Sequence, residues 1–533
     1  MKNRLYPTLA AAAGLTLALS ACGSGGASSG PGGGEPATDG TFRFALQADP
    51  GALNPIMSAS QATAELSRLA YDYLIYQDPD TSEVGPWLAE KWEETPTSAS
   101  FTIRDGVICT DGSVLTSQTV ADNINFVADP ANGSQLRGSS VPTGAAATAD
   151  PATRTITVTT VAPSPFLLLN IGRLPILCDA GLKDPTASNK KSLGTGMFEV
   201  TEVAANDHYT FERREGYHWG PDDTTSDTPG VPKTVIAALT PNVSTATNQL
   251  LSGELNAAPI SGPDRTRIEA ANLNSVLRPL PSGQMYFNQI ASNPTSDPAV
   301  RKALVQAVNL DDLTQVLTAG NGVRATSLVA VEPRACVYDS VAGNIPDFDL
   351  TAAKATLDAA GWTAGADGKR SKDGKPLNLR LVYDGTDDPR NAAAELAQTA
   401  WSELGAHVEL TGGDSNKIID VILSGKDNTA WDIAWIQINS SLPSTFTAYF
   451  SGPVPAAGKN FGSTNNPAYE AAVTKASGLT GEAACDAWAD AESELTKTIS
   501  AVPFSDSVMK VYFNKAGLSF GKSMNGPALR LYQ

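Results

Sequence analysis

The stretch LNLRLVYDGTDDPRNAAAELAQTAWSELGAHVEL, residues 377–410, decides the fold class. Leu377–Val382 alternates apolar and polar residues as a strand does. A helix is expected from about Pro389 to Leu404, closed by Gly405. His407–Leu410 then reads as the next strand, a short helix follows near Ile418–Leu423, and Asp432–Ile438 reads as a third strand. Strand alternating with helix implies an α/β lobe built on a largely parallel sheet. Upstream, Asp297-Pro298 starts a helix, with the acid as N-cap and proline in the first turn, and Val300, Leu304 and Val308 on its buried face. Another helix runs from about Leu350 to Ala360 and stops at Gly361.

The first half reads differently. Thr41–Leu46 is expected to be a strand, as is Arg154–Val161. Asp105-Gly106 and Asp111-Gly112 mark tight turns, and Thr116 or Ser117 can cap a helix carrying Val120, Ile124 and Val127. At the start, Lys2 and Arg4 precede an apolar run from Leu9 to Leu19. That run is too short to span a bilayer, which takes about 20 apolar residues, and so reads as a secretory signal. Leu19-Ser20-Ala21-Cys22 resembles a bacterial lipobox, which implies cleavage before Cys22 and a diacylglycerol on its thiol. Residues 22–40 are almost all Gly, Ser, Ala and Pro and read as a flexible tether.

The 533 residues are 41% hydrophobic and 18% charged, ordinary for a folded protein of two or three domains. The formal net charge is −18, and loss of Lys2 and Arg4 with the signal makes it more negative. An acidic surface argues against nucleic acid or an anionic membrane as partner. Besides Cys22 there are four cysteines, 109, 178, 336 and 485, too widely spaced for a metal knuckle. In an exported chain they can oxidise, and three pairings are open. Cys109–Cys178 with Cys336–Cys485 is favoured because each bond then stays within one half of the chain, free buried thiols being the alternative.

No catalytic constellation is evident. Gly26-Ala27-Ser28-Ser29-Gly30 matches the nucleophile-elbow pattern but sits in the tether, with no strand before it. Gly521-Lys522-Ser523 echoes a phosphate loop, yet Ala516 stands where that loop needs glycine. Three histidines are present, and His208 and His218 read as exposed polar residues around a strand. No cofactor or metal is expected.

Several segments carry a family resemblance. They are Asp49 to Pro55 (DPGALNP), Tyr71 to Trp92 (YDYLIYQDPDTSEVGPWLAEKW), Arg104-Asp105-Gly106 with Asp111-Gly112, Gly194-Thr195-Gly196 through Arg213 and Trp219, and Ser296 to Leu304 (SDPAVRKAL). In this order they resemble the family 5 extracellular solute-binding proteins, the oligopeptide, dipeptide and nickel class of ABC transporter receptors. The resemblance implies a two-lobed periplasmic-binding-protein-like clamp of type II with an extra subdomain and mixed sheets flanked by helices. Lobe I would take 41–76, 191–286 and 501–533, the subdomain 77–190, and lobe II 287–500, with Gln284–Asn288 as one hinge crossing. It also implies a monomer that closes on a peptide or peptide-like solute and delivers it to ABC permease subunits at the outer face of the cytoplasmic membrane, with no bond made or broken. The expected ligand contacts are Asn54, Tyr286, Asn288, Arg334, Trp435, Gln437 and Asn439. Peptide receptors of the class carry an aspartate four residues before the proline that ends the loop following the strand Asp432–Ile438; here Asn439 precedes Pro443. A neutral amide cannot supply the charge-assisted bond of a carboxylate to a free amino group. An exported hydrolase, or a signalling or adhesion lipoprotein on the same fold, are the competing readings. The anchor makes a direct prediction: Cys22→Ala should move the protein from the detergent phase to the aqueous phase in a detergent partition, and its retention with membranes would refute the assignment.

Overall fold

The computed structural model describes residues 34–533, so Cys22 and most of the tether lie outside the described residues. The α/β alternation expected over residues 377–438 is present. Asn378–Asp384 pairs in parallel with His407–Gly413 on one side and with Ile433–Trp435 on the other. Between the first two runs the helix Asp388–Glu403, whose first amides are capped by Asp387 at 2.9 Å from the Arg390 amide. Gly405 closes that turn at φ +89°, and a Cβ there would lie 2.4 Å from the Gly368 carbonyl oxygen. Helix Pro298–Gln306 starts as expected, with Asp297 accepting from the Ala299 amide. The third strand is shorter than expected, because the chain leaves the sheet after Trp435.

This sheet does not end at the lobe. The long strands Asn274–Phe287 and Ala501–Phe513 pair antiparallel over nearly their whole length. At one end the first pairs with Ile433–Trp435, and at the other the second pairs with Ala257–Ile260. From there the sheet continues through Thr41–Leu46, Thr234–Leu239, His208–Arg213 and Phe198–Ala204. Two strands therefore cross between the lobes, and Ala501–Phe513 begins in lobe II although 501–533 was read as lobe I. The register slips at Pro281, Gly283 and Gln284, midway along the crossing. Pro279 and Pro281 have no N–H to give a ladder, and prolines in a strand mark such irregularities.

In lobe II both faces of the sheet are covered. Leu381, Met285, Phe287 and Trp435 belong to one apolar cluster, and Val382, Tyr286 and Ala434 to another on the opposite face. In lobe I a four-stranded antiparallel sheet, Ala89–Thr95, Ser98–Ile103, Thr155–Thr159 and Ala146–Asp150, packs with helix Ser117–Ala128. Phe101, Val120 and Ile156 of that layer share one continuous core with Phe42 and Phe44. Thr116 is the helix cap. No helix among the described residues is long and apolar enough to cross a membrane.

Both favoured disulfides are present, Cys109–Cys178 spanning 69 residues and Cys336–Cys485 spanning 149. Closing loops of this length restricts the unfolded chain, which stabilises by about 2–4 kcal/mol per bond. Peptide mapping without reduction should recover these two pairs alone, and Cys336→Ala with Cys485→Ala should lower the urea-unfolding free energy by that order.

Candidate functional site

Lobe I presents its cleft face on segments tied together by one buried carboxylate. Asp72 is 1% exposed. It accepts from Trp219 Nε1 at 2.8 Å, Thr195 Oγ1 at 3.0 Å and the Tyr217 hydroxyl at 3.2 Å. Trp87 Nε1 in turn donates to the Tyr217 oxygen. Burial pushes the Asp72 pKa up to about 6, against the pull of those three hydrogen bonds and the charge of Arg214. The glycines flanking Thr195 are needed by close approach. A Cβ on Gly196 would stand 2.3 Å from the Ala70 carbonyl carbon, and one on Gly194 2.4 Å from the Tyr71 ring. The result places Tyr73 and Trp87 together, ring centroids 5.3 Å apart, facing the cleft.

Lobe II reaches the cleft with a segment that is neither helix nor strand. Residues 324–349 run without regular elements, and Glu492 holds them. Its carboxylate, 5% exposed, accepts from the Leu328 amide at 2.6 Å, the Ser340 hydroxyl at 2.6 Å and the Tyr338 hydroxyl at 2.8 Å. Burial raises its pKa despite those bonds. The Cys336–Cys485 bond ties the same segment to the same helix, Gly481–Lys497. Its tip touches lobe I: Gln77 Nε2 donates to the Arg334 carbonyl at 3.0 Å, and Arg173 Nη1 to the Pro333 carbonyl at 3.3 Å. Phe166 of lobe I meets Trp488 of lobe II at 6.1 Å.

Between these surfaces lies a cavity of about 410 Å³. Lobe I lines it with Arg68, Tyr73, Tyr76, Trp87, Arg173 and Lys522; the crossing strand adds Arg278 to Leu280; lobe II adds Val331 to Pro333 and Ser441. The size suits a small molecule. Residues 83–457 match the family described as bacterial extracellular solute-binding proteins, family 5. The chain belongs to that family.

Relatives of this family 5 protein include the nickel-binding periplasmic protein of Escherichia coli, 27% identical over 388 residues, 69% of this chain and 70% of the relative. The dipeptide-binding protein of the same organism is 25% identical over 452 residues, 79% of this chain and 80% of the relative. Among solved structures, NikA from Brucella suis in complex with Fe(III)-EDTA superposes with a TM-score of 0.73 at 24% identity, covering 92% of this chain and all of that one.

None of the seven residues expected to bind ligand lines the cavity. Tyr286 and Trp435 are corrected to core. Tyr286 packs on Phe450 and Phe461, and Trp435 on Trp401 and Phe504. Alternation along the strands does separate their faces, but helices cover both faces, so neither is open. Asn288 is fully buried and donates to the Asn428 and Trp431 carbonyls. Asn54 closes its own loop, donating to the Pro185 carbonyl and accepting from the Ile56 amide, and it is the adjacent Pro55 that faces the cavity. Gln437 donates to the Ser282 carbonyl and shares with Trp435 a void of about 10 Å³, too small for a ligand. Asn439 is exposed, and the chain meets the cavity two residues on, at Ser441. Arg334 stands next to the lining residue Pro333, with its charge acting on Asp506 of the crossing strand, whose pKa burial pushes up to about 7. No local sequence pattern marks the lining cations Arg68, Arg173 and Arg278. Lys522, in the Gly521-Lys522-Ser523 segment, pairs with Asp80 and Glu332.

Asp72 allows a test with a defined sign. Asp72→Ala strands three donors in the core and should cost about 2–4 kcal/mol in urea unfolding. Because the folded pKa lies above the unfolded one, the folded chain holds the Asp72 proton longer. Wild-type stability should therefore fall relative to Asp72→Asn as pH rises from about 4 to about 6, and the difference should be flat above that.

Proposed function

We propose that this protein is the receptor of an ABC importer, held at the outer face of the cytoplasmic membrane by lipid on Cys22, and that it captures a small peptide or peptide-like solute in the interlobe cavity for delivery to permease subunits. The observation that carries the reading is the cavity itself. It lies across both lobes and the crossing strand, so a solute held there contacts both lobes at once and can couple binding to their closure. The names of the dipeptide-binding and nickel-binding relatives support a small extracytoplasmic solute. The chain acts here as a monomer, with no nucleic acid and no resident cofactor.

The reading is of binding without chemistry. The one carboxylate on the cavity wall, Glu332, is paired with Lys522 Nζ at 2.8 Å and is not free to act as a base. Nor is the free amino group of a peptide provided for by Asn439, which is exposed outside the cavity.

Mass spectrometry of the mature protein after denaturation should release a solute that fits about 410 Å³. Ser441→Trp places an indole in that space and should reduce the bound fraction at least about tenfold while preserving the fold, a loss of about 1.4 kcal/mol of binding. Undiminished occupancy in this variant would place the site elsewhere.

A further inference from the structure

The cavity wall is electrostatically one-sided. Four cationic side chains line it, Arg68, Arg173, Arg278 and Lys522, against the single carboxylate of Glu332. Lys522 is answered twice, by Asp80 at 2.6 Å and by Glu332 at 2.8 Å. Three guanidiniums remain, and among the described residues none has a carboxylate within 4.0 Å.

Each of the three is poorly compensated. Arg173 donates only to neutral oxygens, of Gln77 at 3.2 Å, Pro333 at 3.3 Å and Leu169 at 3.2 Å, and burial pushes its pKa down to about 10. Arg278 sits on the crossing strand, its pKa lowered by burial first and by the like charge of Arg68 second, with the more distant charges of Glu65 and Glu332 acting against both. Arg68, in the last turn of helix Gln61–Ala70, has the neutral Tyr73 hydroxyl as its polar neighbour. Glu65 of the same helix acts on both Arg68 and Arg278, but it stands off the cavity wall and burial raises its own pKa.

Elsewhere the buried Arg301 and Arg530 hydrogen-bond only to backbone carbonyls, whereas two other arginines have a counter-charge. Arg380 grips Asp432 at 2.8 Å, and Arg370 meets Asp358 at 2.5 Å. Arg68 and Arg278 act on each other as like charges at the wall of an open cavity in a chain of net charge −18, and an anion from outside would offset that repulsion. Guanidinium also matches a carboxylate in geometry, two N–H groups to two oxygens.

We propose that the cavity selects an anionic solute, one whose carboxylate or other oxyanion sits between Arg68 and Arg278 with its body against Tyr73, Tyr76 and Trp87. The proposal rests on the reading of the cavity as the capture site. It excludes solutes whose only charge is positive.

The test uses the mature protein at constant ionic strength with three probes: citrate, N-acetyl-trialanine, and N-acetyl-trialanine amide, which differs from the second only in lacking the charge. At about 10 mM a carboxylate probe should raise the melting temperature by mass action, and the amide should not. In calorimetry, Arg68→Gln and Arg278→Gln should each weaken the carboxylate about tenfold or more, and Arg278→Lys should weaken it less. The unliganded Gln variants should melt no lower than wild type, since like charges have been removed. Equal binding of acid and amide, binding of the acid that survives both Gln substitutions, or no response to either carboxylate overturns the proposal. Ser441→Trp separates the two readings. A neutral probe lost in Ser441→Trp but kept in both Gln variants ends the anion assignment alone, and carboxylate binding that survives Ser441→Trp ends the cavity reading as well.

Discussion

The carboxylate of Asp72 is the constraint on which the cleft face of lobe I depends. It gathers Trp219, Thr195 and Tyr217 from segments more than 120 residues away. A carboxylate taken out of water is costly unless its oxygens are fully engaged, and the donors around it would be equally costly without it. The arrangement therefore admits one packing of these segments rather than adding much net stability. The glycines at 194 and 196 let the backbones approach closely enough for Thr195 to reach Asp72, and Tyr73 and Trp87 are oriented as a consequence.

Lobe II repeats the device with Glu492. Its three acceptor bonds fix a long irregular segment that could not hold its own shape, and a disulfide fastens the same segment nearby. Such a segment has no ladder or helix to satisfy its backbone, so side chains must do it. The two buried carboxylates thus set the two walls of one cavity. The contrast with the cavity is informative. Where the chain needs rigidity, the buried carboxylates are met by donors of the protein, and at the cavity Arg68 and Arg278 have no carboxylate within ion-pair distance among the described residues.

The crossing strands place these walls opposite each other. Their pairing is continuous except where Pro281 and Gly283 break the register, and Gly283 lies under the Phe504 ring with no room for a Cβ. Bending at this slip disturbs few ladder bonds, whereas bending within either half of the sheet would break regular pairing. The contacts across the cleft are mostly polar, from Gln77, Arg173 and Lys522.

What the sequence determined by itself was everything with a local signature. Alternation and capping around 377–410 specified strand, helix and strand, because periodicity acts over a turn or two of chain. Cysteine parity and position led to the two disulfides, and the ordered segments from Asp49 to Leu304 led to the family. The tertiary structure alone decided which residues line the cavity. Trp435, Tyr286 and Asn288 looked available because strand alternation shows which residues share a face but not whether that face is covered, and here it is covered twice. Asn54, Arg334 and Asn439 were near the cavity in sequence, yet a loop's direction is set by distant partners such as Pro185 and Gln77. Arg68, Arg173 and Arg278 come together over more than 200 residues of chain, where the forces that join them are burial and shape, and no spacing in the sequence records either.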